Sequence, residues 1–419
     1  MKYGYFDDEN REYVIERPDT PKSWSNYLGS KRYGALITNN AGGYSFFQSA
    51  AQGRFTRLRF NAIPMDQPGR YLYFHDRDTK DYWSASWQPV GKPLEKFKSE
   101  CRHGSAYTVI SSEYSNIQCK TTYFVPPGKD CEIWWIKVKN NDSWKRNLRM
   151  FSYVEYACNW NALDDMVNLQ YTQYIAKMDI VDNIISHGSN VHLPEMPDNF
   201  EEKDQGRYTF LGLAGAEVSG YDTDRETFIG PYRTYANPLV VEKGEATGSL
   251  AAGDNPCGTL QTDLELDAGE SREFAVIMGI GKAGEEGKAA IKEYSDLKNV
   301  QKAYHELKKY WHERIDGFFA ETPDKEFNSM INMWNPFNSL ITFNWSRAAS
   351  LVYAGERDGL GYRDTVQDFM GVTQLIPDEV EERLELMLTG QASTGGAMPI
   401  VKQFSHKPGK EKKPAEVEY

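Results

Sequence analysis

The hydrophobic pattern of residues 1–292 is that of many short β-strands. Runs rich in β-branched and aromatic residues recur along this segment, among them Arg70–Phe74, Thr121–Val125, Glu132–Val138 and Glu273–Met278. Turn-forming residues separate these runs, as in Pro126-Pro127-Gly128 and Asn140-Asn141-Asp142. Convincing long helical periodicity is absent here. Consecutive strands joined by turns predict a large antiparallel β-sandwich as the N-terminal domain.

The spacing of hydrophobic residues changes after residue 292 to the period of an α-helix. One predicted helix face carries an apolar residue every three or four positions, at Leu297, Val300, Tyr304, Leu307, Trp311 and Ile315. Later helical patterns include one that Asp378 and Glu381 introduce as a capping box. We predict a helical linker over residues 293–322 and helices with glycine-rich connections over 323–419. These few helices leave apolar faces uncovered, so we expect a longer protein or a partner chain to complete the domain.

Composition and charge exclude several classes of function. The chain has 48 basic and 60 acidic residues, a formal net charge of −12, and no basic patch, so nucleic acid is not an expected partner. The five cysteines are odd in number and lack CxxC spacing, which favours free thiols in a reducing compartment. Neither a signal peptide nor a long apolar run is present. We therefore expect a cytoplasmic protein that does not bind membranes.

Motifs for metals and nucleotides are missing from the chain. The seven histidines show no HxxxH or HExxH spacing, so no metal site is predicted. Walker A, strand-linked GxGxxG and GxSxG sequences are also absent. Aromatic residues make up 13% of the chain. Such residues could stack on sugar rings, or they could fill large sandwich cores and interfaces, and the sequence favours neither explanation.

The segment Ser346–Asp368 is the main candidate site because it combines three arginines and three aspartates with glycines and aromatics. Guanidinium groups bind anions or pairs of hydroxyls, carboxylates accept hydroxyl hydrogen bonds, and glycine lets the backbone approach a ligand. The pattern indicates a pocket for a sugar and a phosphate. Surface ion pairs at a helix terminus are the alternative. A second candidate is Trp160–Met166, for which an interdomain loop with two capping acids is the favoured interpretation.

A series of motifs follows in order along the whole chain, from residue 1 to residue 419. They are Met1–Asp8, Arg11–Ile15, Asn26–Gly29, Ala41–Phe46, Cys101–Gly104, Phe124–Pro126, Trp160–Met166, Tyr221–Arg225 and Gly361–Asp364. Together they resemble the N-terminal half of the cellobiose and chitobiose phosphorylases, which are inverting glycoside phosphorylases grouped in glycoside hydrolase family 94.

The resemblance implies a fold and a reaction. It implies an N-terminal β-sandwich, a helical linker and an (α/α)6 barrel, of which residues 323–419 would form the first, incomplete part. It implies a homodimer in which the sandwich of one subunit helps to cover the other's active site. The substrates would be a β-linked glucosyl disaccharide, cellobiose-like, and inorganic phosphate, giving α-glucose 1-phosphate and a free sugar. Phosphate would be a co-substrate, and no cofactor is expected.

The resemblance also implies roles for individual residues. Arg347 matches the arginine that contacts phosphate, and Arg357 and Asp364 match residues that hold hydroxyls of the transferred sugar. Arg363 and Asp368 lie in the same motif, as further substrate-binding residues or as structural ones, and Asp368 could orient Arg357 or Arg363.

Two departures from the family pattern and one missing segment limit what the resemblance implies about the substrate and the activity. Tyr171 stands near the acceptor side where cellobiose phosphorylases have an arginine, which puts plain cellobiose in doubt. The spacing from Arg357 to Asp364 resembles the chitobiose enzymes, whereas Trp160–Met166 resembles the cellobiose enzymes. The family's general acid, an aspartate in a Trp-Asn-Asp-like stretch, is expected downstream of residue 419. No catalytic residue is therefore assigned, and we expect this polypeptide alone to be inactive.

Two other classes of function compete with a phosphorylase. A carbohydrate-binding or assembly module could contain the same β-sandwich and catalyse no reaction. An inverting glycoside hydrolase on the same barrel type would need a carboxylate base to activate water, and it would have no reason to keep Arg347.

Overall fold

A computed structural model describes residues 2–29, 32–51, 53–59, 64, 66–162, 165, 173–190, 206–345, 350, 351, 360–391, 393–397, 400 and 401. The strands are β1 (Gly4–Asp7), β2 (Glu12–Ile15), β3 (Ser25–Gly29), β4 (Tyr33–Thr38), β5 (Gly43–Phe47), β6 (Tyr71–Asp76), β7 (Tyr82–Ser84), β8 (Lys98–Gly104), β9 (Tyr107–Tyr114), β10 (Ile117–Phe124), β11 (Cys131–Asn140), β12 (Arg146–Glu155), β13 (Ala176–Val181), β14 (Ile184–Asn190), β15 (Gly206–Ala214), β16 (Gly220–Asp224), β17 (Pro256–Leu266), β18 (Ser271–Ile280), β19 (Leu360–Gly361) and β20 (Ile400–Val401).

The helices lie mostly after the sandwich. They are α1 (Arg225–Ile229), α2 (Leu239–Lys243), α3 (Lys288–Tyr294), α4 (Leu297–Ile315), α5 (Lys325–Ser329), α6 (Asn335–Trp345), α7 (Tyr362–Phe369) and α8 (Pro377–Leu388). Single π-helical turns, Ala283–Gly287 and Met330–Trp334, precede α3 and α6. Within the part of the chain that the structure describes, no helix is long and apolar enough to cross a membrane.

Among the described residues, antiparallel pairing joins β1 to β18 into two large sheets and a three-stranded one, and it pairs β19 with β20. The larger sheet has ten strands in the order β1-β2-β8-β9-β10-β11-β18-β15-β14-β13, and the other has five in the order β16-β17-β12-β6-β7. Strands β3, β4 and β5 form a separate three-stranded sheet. The prediction of a large antiparallel β-sandwich followed by helices is confirmed. The domain boundaries at residues 292 and 322 stay predictions.

Strand β12 shows how the alternation of the sequence builds two layers of core. Leu148 and Met150 point into the space between the two large sheets, where they join Trp134 and Ile136 of β11 in one buried cluster. Phe151 and Tyr153 point to the other face of the five-stranded sheet, because successive side chains alternate across a strand. Helices α1 and α2 cover that face.

Helix α4 connects the sandwich to the later helices. Its N-cap Asp296 accepts a hydrogen bond from the backbone N–H of Lys298, and its apolar face is buried as the sequence predicts. Tyr304 packs edge-to-face on Tyr107 of β9, with ring centroids 5.2 Å apart. Trp311 packs on Phe337 of α6, at 5.1 Å. The helix therefore lies between the ten-stranded sheet and the helical domain and contacts both.

The predicted capping box before α8 is wrong. The helix begins at Pro377, its N-cap is Ile376, and no side chain caps it. Proline suits the first helical position because its φ is fixed near the helical value and it has no N–H to satisfy. Asp378 consequently lies inside the first turn, where its negative charge still favours the helix.

Candidate functional site

The predicted site residues divide into two groups. Arg347, Arg357 and Tyr171 lie outside the described residues. Arg363, Asp364 and Asp368 lie on α7, which begins after Gly361. Strands β19 and β20 pair directly before this helix, through Leu360 with Val401 and Gly361 with Ile400. The backbone at the start of α7 is therefore held by a short ladder.

Two of the predicted residues are neighbours in sequence and differ in environment. The side chain of Asp364 is 15% exposed and lies in the first turn of α7, where the helix dipole favours a carboxylate. The Arg363 side chain is 85% exposed, and its nearest guanidinium nitrogen is 3.4 Å from a carboxylate oxygen of Asp364. An exposed pair of this kind contributes little to stability. Arg363 thus points to solvent, and Asp364 is the better placed of the two to bind a buried ligand.

Asp368 lies one helical turn beyond Asp364 and lines a polar cleft between α6 and α7. The cleft has a volume of about 550 Å³. Its other lining residues carry amides or hydroxyls, or are glycine, and they are Asn335, Asn338, Ser339, Thr342, Gln367 and Gly371. Phe343 of α6 and Phe369 of α7 pack beside it, with ring centroids 5.9 Å apart. Asp368 is therefore partly buried and lies in an open cleft between the two helices.

The small sheet of the N-terminal domain contacts the helical domain next to the candidate segment. Trp345, the last residue of α6, packs on the ring of Phe46 at 5.2 Å and on that of Tyr27 at 5.6 Å. The hydroxyl of Tyr44 donates to the backbone carbonyl of Ser350, 3.1 Å away. Burial raises the pKa of Tyr44 to about 12, so its hydroxyl keeps its proton at neutral pH. These contacts lie on both sides of residues 346–349 in the sequence.

The second candidate segment, Trp160–Met166, is held by an ion pair. The Nε of Arg57 is 2.9 Å from one carboxylate oxygen of Asp165, and its Nη2 is 2.8 Å from the other. Trp160 is buried against Phe55, with ring centroids 5.6 Å apart. The carboxylate of Asp165 accepts hydrogen bonds from a buried guanidinium; its predicted role as a helix-capping acid stays a prediction, because the residues that it would cap lie outside the described residues. Asp164 lies outside the described residues.

The same guanidinium belongs to a larger buried cluster around Glu155. Both carboxylate oxygens of this residue accept hydrogen bonds; the donors and distances are Arg57 at 3.0 Å, Arg59 at 2.6 Å, Arg225 at 3.0 Å, Tyr153 at 3.1 Å and Tyr235 at 2.7 Å. Burial by itself would raise the pKa of Glu155, but the three arginines together hold it well below its usual range.

Sequence reasoning did not find this cluster or the contacts of Tyr44. Arg57 and Glu155 are 98 residues apart, and neither belongs to a motif. Tyr44 does lie in one, Ala41–Phe46, but no role was assigned to it. Within the described residues no group of three or more histidine, cysteine, aspartate or glutamate side chains could hold a metal ion. All five cysteines are buried free thiols.

Comparison with known proteins identifies relatives of both parts of the chain. Residues 11–297 match the family description "Glycosyl hydrolase 94, supersandwich domain", and residues 310–418 match "Glycosyl hydrolase 94 superfamily, catalytic domain". An N,N'-diacetylchitobiose phosphorylase from Vibrio proteolyticus is 39% identical over 94% of this chain and 48% of its own length. A solabiose phosphorylase from Paenibacillus borealis is 26% identical over the same shares. The chain thus spans about half the length of these curated relatives.

A solved structure shares the fold. A protein from human microbiome, described as a kojibiose phosphorylase, superposes with a TM-score of 0.50 over 93% of this chain and 50% of its own. Its sequence identity is 10%, so the likeness concerns the fold alone.

Proposed function

Because the chain belongs to glycosyl hydrolase family 94, we propose that it is part of a disaccharide phosphorylase. The reaction would be the reversible phosphorolysis of a β-linked disaccharide with inversion, giving an α-sugar 1-phosphate and a free sugar. The observation that carries this proposal is the pair of family matches together with 39% identity to a phosphorylase over 94% of the chain. We further propose that phosphate is the co-substrate, that no cofactor is needed and that the protein is a homodimer.

The reaction requires the protein to supply one acidic group and to hold phosphate and disaccharide in the correct relative positions. Phosphate replaces water as the nucleophile and attacks the anomeric carbon from the face opposite the leaving oxygen. Since phosphate is already an anion, no general base is required, and one carboxylic acid must protonate the leaving oxygen. The general acid is not assigned to a residue of this chain. Its residues would instead hold the phosphate and the transferred sugar in line for the attack.

The roles proposed for the site follow from residue chemistry. Arg347 would bind phosphate through its planar guanidinium, which suits two phosphate oxygens at once. Asp364, with Arg357, would bind hydroxyls of the transferred sugar. Asp368 would support these groups from the cleft between α6 and α7, and Tyr171 would contact the acceptor sugar. Because Arg363 is exposed, it is less suited than Asp364 to touch the substrate.

Two disaccharides are candidates for the substrate. The sequence resemblance predicts a cellobiose-like substrate through Trp160–Met166, whereas the spacing from Arg357 to Asp364 resembles the chitobiose enzymes and Tyr171 puts plain cellobiose in doubt. The 39% identity to an N,N'-diacetylchitobiose phosphorylase, against 26% to a solabiose phosphorylase, favours a disaccharide of N-acetylglucosamine. We therefore place diacetylchitobiose first and cellobiose second among the substrates to be tested.

The test uses the intact protein that carries this chain. It is incubated with diacetylchitobiose or cellobiose, with and without inorganic phosphate, and products are followed by phosphorus and proton NMR. A phosphorylase forms an α-sugar 1-phosphate only when phosphate is present. Release of free sugars without phosphate would identify a hydrolase, and binding without turnover would identify a non-catalytic module.

Arg347→Ala provides a second test of the same proposal. Loss of a charge-assisted contact to phosphate should raise the KM for phosphate by about 10-fold or more. Arg363→Ala is the matched control, because it removes another arginine of the same candidate segment, whose side chain is 85% exposed. Equal effects of the two substitutions would contradict the assignment of Arg347.

A further inference from the structure

The turn between β1 and β2, residues 8–11, contacts the chain on both sides of the junction between the sandwich and the helical domain. The Nη2 of Arg11 is 2.7 Å from a carboxylate oxygen of Asp316, the residue that ends α4. The hydroxyl of Ser329, on α5, donates to the carboxylate of Asp8. Asp8 and Arg11 belong to two of the motifs in the sequence, and the proposed function gives neither of them a role.

The junction that this turn bridges is short. Helix α4, which packs on the ten-stranded sheet, ends at Asp316. Ala320 already belongs to the helical domain, because its backbone N–H and carbonyl bind the side-chain amide of Asn332 at 2.8 and 2.7 Å. Asn332 lies in the π-helical turn before α6. Residues 317–319 are therefore the covalent connection between the two parts, and the contacts of Asp8 and Arg11 lie on either side of it.

The base of the turn is held within the sandwich. Arg102 of β8 pairs with Asp7 at 3.0 Å and with Glu12 at 3.2 Å, the two residues that flank the turn. Arg11 itself has a φ of 56°, a conformation that few residues other than glycine adopt. Glycine would take this conformation without strain, but it has no side chain that could reach Asp316. The turn thus presents a charged group from a fixed position.

We propose that the β1–β2 turn is a strap that limits movement of the helical domain relative to the sandwich. Trp345, the last residue of α6, packs on Phe46 at 5.2 Å and gives the sandwich one contact with this domain. Ser329 gives it another, 16 residues earlier in the sequence, or about 24 Å at the rise of an α-helix. A single contact allows rotation about itself, whereas two separated contacts oppose it. The proposal concerns domain contacts alone and does not depend on the proposed function.

The alternative is that apolar packing fixes the two parts without the strap. Trp311 of α4 packs on Phe337 of α6 at 5.1 Å, and the side chains of Arg11 and Asp316 are 32% and 53% exposed, where an ion pair can contribute little. If packing is sufficient, loss of the strap should leave the connection as closed as before. If the strap limits movement, its loss should let the connection open more often. Proteolysis distinguishes the two cases, because cleavage requires local opening of the chain.

Chymotrypsin is a suitable protease because it cleaves after aromatic residues. Phe318 and Phe319 lie in the connection, and they are 46% and 72% exposed. The intact protein that carries this chain is digested briefly under native conditions, and the fragments are measured by mass spectrometry. Arg11→Gln and Asp8→Ala should each raise the rate of cleavage after these two residues by about 3- to 10-fold, the factor expected for one lost hydrogen bond.

Two controls make the result specific. Arg17→Gln removes a nearby arginine whose ion pair with Asp19, at 2.6 Å, joins residues of the same N-terminal segment and does not reach the helical domain. Cleavage after Tyr232, a fully exposed residue between α1 and α2, is the reference within each digest and should stay constant. Unchanged cleavage of the connection in both strap variants, an equal rise in Arg17→Gln, or an equal rise after Tyr232 would each overturn the proposal.

Discussion

Replacing Glu155 by glutamine should destabilise the sandwich by about 3 to 5 kcal/mol, the usual cost of removing one partner from a buried ion pair. Glu155 is 1% exposed and serves as the shared counter-charge of three arginines, Arg57, Arg59 and Arg225. Glutamine has nearly the same shape, so the substitution leaves no cavity. It removes the negative charge and turns one of the two acceptor groups into a donor that faces other donors.

The geometry places the expected value toward the lower end of that range. Arg57 is buried and keeps its bonds to Asp165, so part of its charge remains compensated. The side chains of Arg59 and Arg225 are 35% and 24% exposed, which lets water replace some of the lost interaction. The hydroxyl of Tyr235, 2.7 Å from the carboxylate, would exchange a charged acceptor for a neutral one. A cost of about 3 kcal/mol is therefore expected at neutral pH.

Urea unfolding followed by tryptophan fluorescence measures the change in the free energy of unfolding. Glu273→Gln is the matched control, because Glu273 pairs with Lys137 at 2.8 Å on an exposed face, where a pair contributes about 0 to 1 kcal/mol. The effect should also depend on pH. The folded pKa of Glu155 is lower than its ordinary value of 4.5, so its stabilisation is present above that value and is lost as the pH falls below it.

The wild-type protein and Glu155→Gln should therefore approach each other in stability in acid. A destabilisation below about 1 kcal/mol at pH 7, or a difference that grows as the pH falls below 4.5, would refute this account of the cluster.

Two further substitutions test the domain contact and the sugar site. Gly34→Ala should lower stability by about 1 to 3 kcal/mol in thermal unfolding, because its Cβ would lie 2.8 Å from Trp345 and against the ring of Phe46; an unchanged Tm would mean that the contact is loose. If Asp364 binds a sugar hydroxyl as proposed, Asp364→Asn should reduce kcat/KM for the disaccharide by about 10- to 100-fold by weakening that charged hydrogen bond, with the Tm nearly unchanged. Arg363→Asn should have little effect on kcat/KM, and a comparable loss there would contradict the assignment.

Local periodicity was sufficient to predict the classes of secondary structure. The apolar stripe from Leu297 to Ile315 and the strands such as Glu132–Val138 depend on neighbours along the chain, which the sequence displays directly. The order of the strands depends on contacts between distant segments. Strand β11 pairs with β18 and β2 with β8, and no turn joins either pair. Propensity and turn chemistry carry no information on such pairings.

The same contrast between local and distant contacts applies to the candidate site. The motif Gly361–Asp364 lies at the start of α7. The resemblance gave Asp364 a sugar-binding role and left Arg363 as substrate-binding or structural, but sequence spacing alone could not show which of the two is buried. Consecutive residues on a helix point about 100° apart, so one of them faces solvent while the other is largely buried. The contact from Tyr44 to Ser350 spans 306 residues, and no local pattern could indicate it.

The aromatic content, which fitted either sugar binding or core packing, can be assigned in one part of the molecule. Tyr71, Tyr73 and Tyr153 lie on the outer face of the five-stranded sheet, where a carbohydrate-binding module could present stacking rings. They are buried instead, with Phe228 of α1 stacked on Tyr153 at 5.0 Å. A ring covered by the protein's own helix cannot stack on a sugar. This face therefore offers no stacking surface for a sugar, and its aromatic residues belong to core packing.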